Sequence, residues 1–185
     1  RYSMRVIAGK AKGLTLRTIE GESTRPTRDM VREALFSILI DKVLDCTFLD
    51  LFAGSGAIGI EALSRGAGSA YFCDANKACI GIIKANLEKA KMTDQSQVFY
   101  GDYLTILGRL RNQKFDLIFI DPPYSKGMGV LSIEKISQEE LLAGNGIIIY
   151  ETDKVEVVPE VIGRYKRYNY KKYGRNILNF YATCE

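Results

Sequence analysis

The stretch Asp50-Leu-Phe-Ala-Gly-Ser-Gly-Ala-Ile-Gly59 decides the fold, because it joins an apolar segment to a run of small residues and then to a helical pattern. Residues 47–52 predict a β-strand, and residues 57–65 predict an α-helix. The small residues between them let the backbone approach a bound molecule at the start of the helix. We therefore interpret residues 53–56 as a ligand-binding loop.

Strand and helix patterns continue to alternate after this loop. Further strands are predicted at residues 69–73, 97–100, 115–120 and 147–150, and helices at residues 28–42, 77–91, 103–110 and 132–142. Continuous apolar runs such as Leu117-Ile-Phe-Ile120 are typical of strands buried on both faces. The pattern predicts an α/β fold with a doubly wound, mostly parallel sheet. Tyr165–Tyr173 and residues 177–182 alternate around Gly174-Arg175, which predicts an antiparallel hairpin at the C-terminal end.

The length of 185 residues predicts a single globular unit. We expect an N-terminal hairpin or extended arm in residues 1–24, followed by a domain over residues 25–185. Within the start of the chain, residues 21–28 predict a loop that Pro26 keeps irregular. Hydrophobic residues make up 46% and charged residues 26% of the chain, which allows a normal core and excludes a disordered protein. No apolar run reaches the length of a membrane span, so we expect a soluble, cytoplasmic protein.

Histidine is absent from the chain, which excludes Ser-His and Cys-His catalysis and the commonest metal ligand. We therefore predict no metal site. The four cysteines form no C-x-x-C pair, and we expect them to be reduced and mostly buried.

Charge is divided along the chain. Residues 1–33 and 163–176 carry net charges of +4 and +6, whereas residues 34–162 carry −5. Basic ends around an acidic middle suit a polyanionic partner such as nucleic acid, although a solvated charged surface gives the same pattern. The basic segment at 163–176 also interleaves tyrosines with cations, which fits either RNA contact or the protection of a sheet edge.

Acidic residues follow four of the predicted strands, where ligands bind in open parallel sheets. They are Asp50, Asp74, Asp102 and Asp121. The Gly54-x-Gly56-x-x-Gly59 pattern with Asp74 fits both a nicotinamide cofactor and S-adenosylmethionine. Asp121-Pro-Pro-Tyr124 favours the second, because this motif is a signature of methyltransferases that act on planar amide or amine nitrogens.

The chemistry of such a transfer explains the motif. An exocyclic amine is a poor nucleophile because its lone pair is delocalised, whereas a methyl sulfonium is already an activated donor. The Asp121 carboxylate and a carbonyl of the Pro122-Pro123 turn can each accept one amine N–H and orient the lone pair. The prolines hold this turn rigid, and Tyr124 offers a face for stacking of a flipped base.

Three stretches together carry a resemblance to a known family. Residues 25–36 (Arg-Pro-Thr-Arg-Asp-Met-Val-Arg-Glu-Ala-Leu-Phe), residues 49–66 and Asp121-Pro-Pro-Tyr124 closely resemble the bacterial small-subunit ribosomal RNA methyltransferase D family. The resemblance covers nearly the whole chain from Met4. It implies a seven-stranded class I S-adenosylmethionine-dependent fold and methyl transfer to the 2-amino group of a guanine in 16S rRNA. It also implies an assembled small-subunit particle as the substrate.

The same resemblance assigns individual residues. For the cofactor it implies Asp50 and residues 53–56 (Ala53, Gly54, Ser55, Gly56) at the methionine end, Asp74 at the ribose and Asp102 beside the adenine; we add the neighbours Phe52, Ala75 and Tyr103. It implies Asp121, Pro122, Pro123 and Tyr124 as the catalytic motif. For RNA it implies the loop and helix start that contain Arg25, Thr27, Arg28 and Arg32. Arg32 could equally pair with Asp29 or Glu33.

Other functions stay open at this point. The same motif serves enzymes that methylate adenine or cytosine in DNA, or glutamine in proteins, although the absence of a separate target-recognition domain argues against a DNA enzyme. A noncatalytic RNA-binding assembly factor and a nicotinamide oxidoreductase are the remaining alternatives. We expect no membrane partner, and we expect a monomer.

Overall fold

One mixed β-sheet with helices on both faces forms the body of the protein. The computed structural model describes residues 3–19, 26–123 and 127–184. In this part of the chain there are five α-helices: α1 (Pro26–Ile38), α2 (Ala57–Ser64), α3 (Lys77–Lys89), α4 (Tyr103–Arg109) and α5 (Met128–Gln138). The same part holds eight strands: β1 (Thr47–Asp50), β2 (Ser69–Asp74), β3 (Ser96–Tyr100), β4 (Phe115–Ile120), β5 (Leu142–Asp153), β6 (Val161–Ile162), β7 (Tyr165–Tyr173) and β8 (Asn176–Thr183).

The strand order is β3-β2-β1-β4-β5-β8-β7-β6. The first five strands of this order are parallel, and β8, β7 and β6 continue the sheet antiparallel. The predicted α/β fold and C-terminal hairpin are therefore confirmed. The resemblance implied seven strands, and the described residues contain an eighth, the two-residue edge strand β6, which is too short to leave a periodic signal.

The sheet has a buried apolar layer on each face. On one face, α1, α2, α3 and the N-terminal arm cover side chains such as Phe48, Phe72 and Phe119. On the other, α4 and α5 cover side chains such as Ile118 and Ile148. Because both faces are covered, β4 is buried almost throughout, as its continuous apolar run predicted.

Helices α1 and α5 depart furthest from their predicted bounds, 28–42 and 132–142, and they do so at both ends. Helix α1 begins at Pro26, which was assigned to a loop, because proline is well tolerated in the first turn of a helix. Helix α5 begins at Met128 rather than at Ser132, whose hydroxyl donates back to the Met128 carbonyl at 2.6 Å. Leu142 lies in β5 and pairs with Phe115 instead of ending the helix.

The N-terminal arm doubles back and packs against α2 and α3. It forms one isolated bridge, between Arg5 and Thr15. The buried carboxylate of Glu61 accepts the backbone N–H groups of Ile7 and Ala8, at 2.8 and 3.1 Å. Asn86 of α3 accepts the Arg17 N–H and donates to the Arg17 carbonyl, so side chains of the domain hold the arm.

Cys46, Cys73 and Cys79 are buried free thiols and Cys184 is exposed, in line with the expectation of reduced cysteines. None of the helices within residues 3–19, 26–123 and 127–184 has the length and apolar character of a membrane span.

Candidate active site

The carboxyl ends of β1, β2, β3 and β4 bring the predicted acidic residues to one edge of the sheet. A cavity of about 880 Å³ lies at this edge. The predicted residues that line it are Arg28, Phe52, Gly54, Asp74, Ala75, Asp102, Tyr103, Asp121, Pro122 and Pro123. Residues assigned to the cofactor and residues assigned to catalysis therefore share one cavity.

A smaller cavity of about 90 Å³ lies between α1 and the ends of β1, β4 and β5. The predicted residues Arg32, Asp50, Ala53 and Ser55 line this cavity, and Arg28, Phe52 and Asp121 border both. Gly56 lies at the start of α2. A Cβ atom at this position would contact the side chains of Ile60 and Ile83.

The glycine loop takes a conformation that most residues avoid. Gly54 and Gly56 have φ angles of +58° and +84°, in the left-handed region that favours glycine. Gly59, the third glycine of the pattern, is needed for packing, because a Cβ there would lie 2.3 Å from the Phe72 ring. The loop thus turns sharply between β1 and α2 while α2 packs tightly against the sheet.

Backbone groups hold the three acidic residues that precede the loops. Asp50 is buried and accepts the Gly59 N–H at 3.2 Å. Asp74 accepts the N–H groups of Gly54 and Asn76, both at 2.9 Å. Asp102 caps α4 by accepting from Leu104 and Thr105. These carboxylates fix the loops around the cavity, and those of Asp74 and Asp102 line it and keep further lone pairs for a ligand.

Two aromatic side chains form part of the cavity wall. The rings of Phe52 and Tyr103 are 5.3 Å apart at their centroids, with a tilt of 47°. Burial raises the pKa of Tyr103, with a smaller contribution from the adjacent Asp102 charge. An apolar aromatic pair beside an acceptor carboxylate suits a planar, polar-edged group such as a purine.

Asp121 has a carboxyl neighbour that the sequence analysis did not single out. Glu151 follows Tyr150 on the adjacent strand β5 as Asp121 follows its register partner Ile120, and both acids line the same cavities. Burial and the Asp121 charge raise the pKa of Glu151 well above its ordinary value, and Arg28 opposes this shift. Glu151 follows the apolar run 147–150, so the strand-end rule that selected Asp121 could also have selected it.

The residues assigned to RNA take different positions. Arg28 is exposed and borders both cavities. Arg32 is only 3% exposed, donates to the Arg5 carbonyl at 2.6 Å and pairs with Asp29 at 3.1 Å. The pairing with Asp29 was one of the two predicted alternatives, and the burial of Arg32 does not fit the exposure that RNA contact requires. Arg25, Tyr124 and the Thr27 side chain lie outside the described residues.

The described residues contain no group of three or more Cys, Asp or Glu side chains that could hold a metal ion.

Known proteins share this fold and sequence. The chain is 38% identical over 162 residues to the Bacillus subtilis protein named "Putative rRNA methyltransferase YlbH", covering 86% of this chain and 88% of that protein. It is 36% identical over 161 residues to "Ribosomal RNA small subunit methyltransferase D" of Haemophilus influenzae, covering 85% and 83% of the two chains.

Solved structures agree with these relatives. "Putative methyltransferase yhhF from Escherichia coli" superposes with a TM-score of 0.86 at 28% identity, over 98% of both chains. The structure titled "Crystal structure of SMU.776, a putative methyltransferase complexed with SAH" (S-adenosylhomocysteine) shares the fold at 18% identity, with a TM-score of 0.66 over 84% of this chain and 49% of that one.

The fold and the loop arrangement are therefore those of the class I S-adenosylmethionine-dependent methyltransferases. Residues 4–182 match the protein family described as "Conserved hypothetical protein 95", and the chain belongs to this family. The resemblance to the small-subunit ribosomal RNA methyltransferase D family is thereby confirmed.

Proposed function

We propose that this protein transfers a methyl group from S-adenosylmethionine to the exocyclic 2-amino group of a guanine in 16S rRNA, within an assembled small-subunit particle. One observation carries the proposal: the residues that suit the donor and the Asp121-Pro122-Pro123 turn line the same cavity. The names of the relatives supply the RNA class, since several are called ribosomal RNA small subunit methyltransferase D.

The cavity fits the donor by size and chemistry. Its volume of about 880 Å³ is within the usual range for a site that encloses a small ligand. Asp74 has the acceptor capacity for a ribose diol, and the Phe52–Tyr103 pair offers apolar surface for the adenine ring. When bound, S-adenosylmethionine supplies a methyl group on an activated sulfonium, so the protein needs to position groups rather than activate them.

The acceptor turn performs that positioning. Asp121 directly follows the buried strand β4, and the two prolines after it restrict the backbone and remove competing N–H donors. In our proposal the Asp121 carboxylate accepts one N–H of the guanine amine and a carbonyl of the proline turn accepts the other. The nitrogen lone pair is then directed toward the methyl carbon, opposite the departing sulfur.

Tyr124 is proposed to stack on the flipped guanine, although it lies outside the described residues. Arg28 is proposed to contact RNA phosphates, because its exposed cationic side chain borders the cavity that would receive the base.

Strand β7 is proposed as a second RNA-contacting surface. Its Arg167 and Lys172 side chains flank the half-exposed Tyr170 ring at 4.8 and 6.0 Å, which leaves an aromatic face among cations. The strand runs parallel to β5, and its last residue, Tyr173, pairs with Asn176 at the rim of the cavity. A line of cations leading to the cavity suits a polyanion whose one base enters the site.

The test uses purified protein, labelled S-adenosylmethionine and immature small subunits from a strain that lacks the enzyme. We expect label in a single guanine, mapped as a methyl group on its 2-amino nitrogen. Naked 16S rRNA serves as the comparison substrate and is expected to accept less label. Label in DNA, in protein glutamine or in another base would contradict the proposed substrate. Donor binding with no transfer to any ribosomal particle would favour a noncatalytic assembly factor.

A further inference from the structure

Glu151 is a partly buried carboxyl group for which the proposed methyl transfer has no role so far. It lies beside Asp121 because Ile120 and Tyr150 are register partners in the parallel pair of β4 and β5. Side chains alternate along both strands, so Asp121 and Glu151 emerge on the same face as Phe119 and Ile149. The two carboxyl groups therefore lie side by side at the wall of the cavity, where one can donate a hydrogen bond to the other.

Two ionised carboxylates have no hydrogen between them, so a hydrogen bond within this pair requires a proton on one of the two. The charged groups around the pair are unevenly divided. Helix α1 contributes Arg28 and Arg32, whereas the carboxylates of Asp50, Asp153 and Glu156 border the same cavities from β1, from β5 and from the segment after β5. Strand β8 contributes the uncharged Asn176. A second negative charge inside this acidic group is unfavourable.

We propose that Glu151 is a positioning residue for methyl transfer, which keeps its proton at neutral pH and donates it in a hydrogen bond to the Asp121 carboxylate. This inference rests on the proposed function, because it assigns a purpose to the orientation of Asp121. The bond holds the Asp121 carboxylate in one rotamer and leaves its negative charge on the residue that meets the amine. The raised pKa of Glu151 agrees with the location of the proton.

The alternative is that Glu151 only fills space at the end of β5. A residue with that role could be replaced by one of similar size without an effect on turnover. If Glu151 instead donates a hydrogen bond, its replacement by an apolar residue lowers turnover, because the Asp121 carboxylate loses a fixed partner and samples other rotamers. Small losses of alignment at a reacting group lower rates by up to about a hundredfold.

The first experiment needs no activity. Infrared spectroscopy of the protein without ligand, at neutral pH, is expected to show the band of a protonated carboxyl group. The band is expected to disappear in Glu151→Gln and to persist in Asp153→Asn, which removes a neighbouring carboxylate on the same strand. Absence of the band in the wild type, or its persistence in Glu151→Gln, would overturn the proposal. Neither result would bear on the proposed methyl transfer.

A pH titration of stability gives a second measurement without substrate. Because the pKa of Glu151 is raised in the folded protein, its stabilising contribution is complete below the ordinary value of 4.5 and is lost as pH rises toward the raised value. The unfolding free energy of the wild type should therefore fall relative to that of Glu151→Gln as pH rises above 4.5. Parallel curves for the two proteins would contradict a proton held on Glu151.

The kinetic experiment compares two substitutions on the small-subunit substrate. Glu151→Leu removes the donor and is expected to lower kcat about tenfold to a hundredfold, with the Kd for SAH unchanged. Glu151→Gln keeps an N–H donor without charge and is expected to recover most of that loss. Equal losses in the two variants, or no loss in Glu151→Leu, would overturn the positioning role. If no protein methylates any particle, the proposed function fails, and the infrared and stability results still decide the state of Glu151.

Discussion

The donor side and the acceptor side of the cavity use acidic residues in different ways. On the donor side, at the ends of β1, β2 and β3, the carboxylates of Asp50, Asp74 and Asp102 accept backbone N–H groups of the glycine loop and of the helices α2 and α4. On the acceptor side, at the ends of β4 and β5, Asp121 lies beside another acid, Glu151.

This difference separates affinity from turnover. A carboxylate that binds backbone N–H groups fixes the shape of a loop, which determines how well the loop receives a ligand. A carboxyl pair that shares a proton controls the orientation and charge of one acceptor group. Substitutions on the donor side should therefore change donor binding and stability, and substitutions on the acceptor side should change kcat.

Asp121→Ala is the strongest test of the difference between the donor side and the acceptor side. Loss of a preorganised acceptor for the amine is expected to lower kcat by about 10²–10³-fold. Steady-state kinetics on immature small subunits measures the effect. Calorimetry with SAH should give a Kd close to that of the wild type. A large loss of SAH affinity would assign Asp121 to the donor side and remove the division.

Asn86→Ala tests the side-chain contacts that stabilise the glycine loop on the donor side. Asn86 is buried and donates to the Ser55 carbonyl at 2.9 Å while it binds both backbone groups of Arg17. Its loss leaves these groups unpaired, so the free energy of unfolding should fall by about 2–3 kcal/mol. Urea denaturation measures this change. The exposed Asn112→Ala is the control and should change stability little; equal effects in both variants would exclude a specific role for the Asn86 contacts.

Asp74→Asn tests the role of one donor-side carboxylate in donor binding. An amide has one acceptor oxygen, so it cannot both keep the Gly54 and Asn76 contacts and accept a ribose diol. We expect the Kd for SAH to rise about tenfold, equal to about 1.4 kcal/mol, with little change in kcat at saturating donor. Asp94→Asn changes an exposed carboxylate away from the cavity and should bind SAH normally. A loss of kcat alone would contradict the donor-side assignment of Asp74.

Tyr170→Ala addresses a surface outside the cavity, and its expected effect is the smallest. Removing the ring between Arg167 and Lys172 should raise KM for the small-subunit particle about threefold to fivefold, because exposed cation–π and stacking contacts are weak. The Kd for SAH should not change. An unchanged KM would restrict RNA contact to the region around Arg28.

The donor side of the cavity could be predicted from the sequence, because local backbone geometry builds it. The glycine pattern and the acids after the strands are local signals, so Asp50, Asp74, Asp102 and Asp121 were found at the expected edge. Glu151 also follows an apolar run, but its position beside Asp121 could not be predicted, because the two residues are 30 positions apart in the chain. The order of β4 and β5 in the sheet, which brings Glu151 beside Asp121, leaves no mark in either segment alone.

Arg32 shows a second limit of local reasoning. Its place at the start of an amphipathic helix predicts an exposed cation as readily as a buried one. The N-terminal arm makes Arg32 a buried cation, because the Arg5 carbonyl accepts a hydrogen bond from the Arg32 guanidinium and the arm packs over α2. Such a contact between distant segments follows only from the folded chain.

A crystal structure of the protein with SAH tests the central claim most directly, by the position of the sulfur relative to the Asp121 carboxylate. We predict that the sulfur lies in the cavity between Asp74 and Asp121, with the Asp121 oxygens facing it across the space where an amine nitrogen would sit. A sulfur bound on the far side of the glycine loop, or an Asp121 side chain turned away from it, would contradict the account.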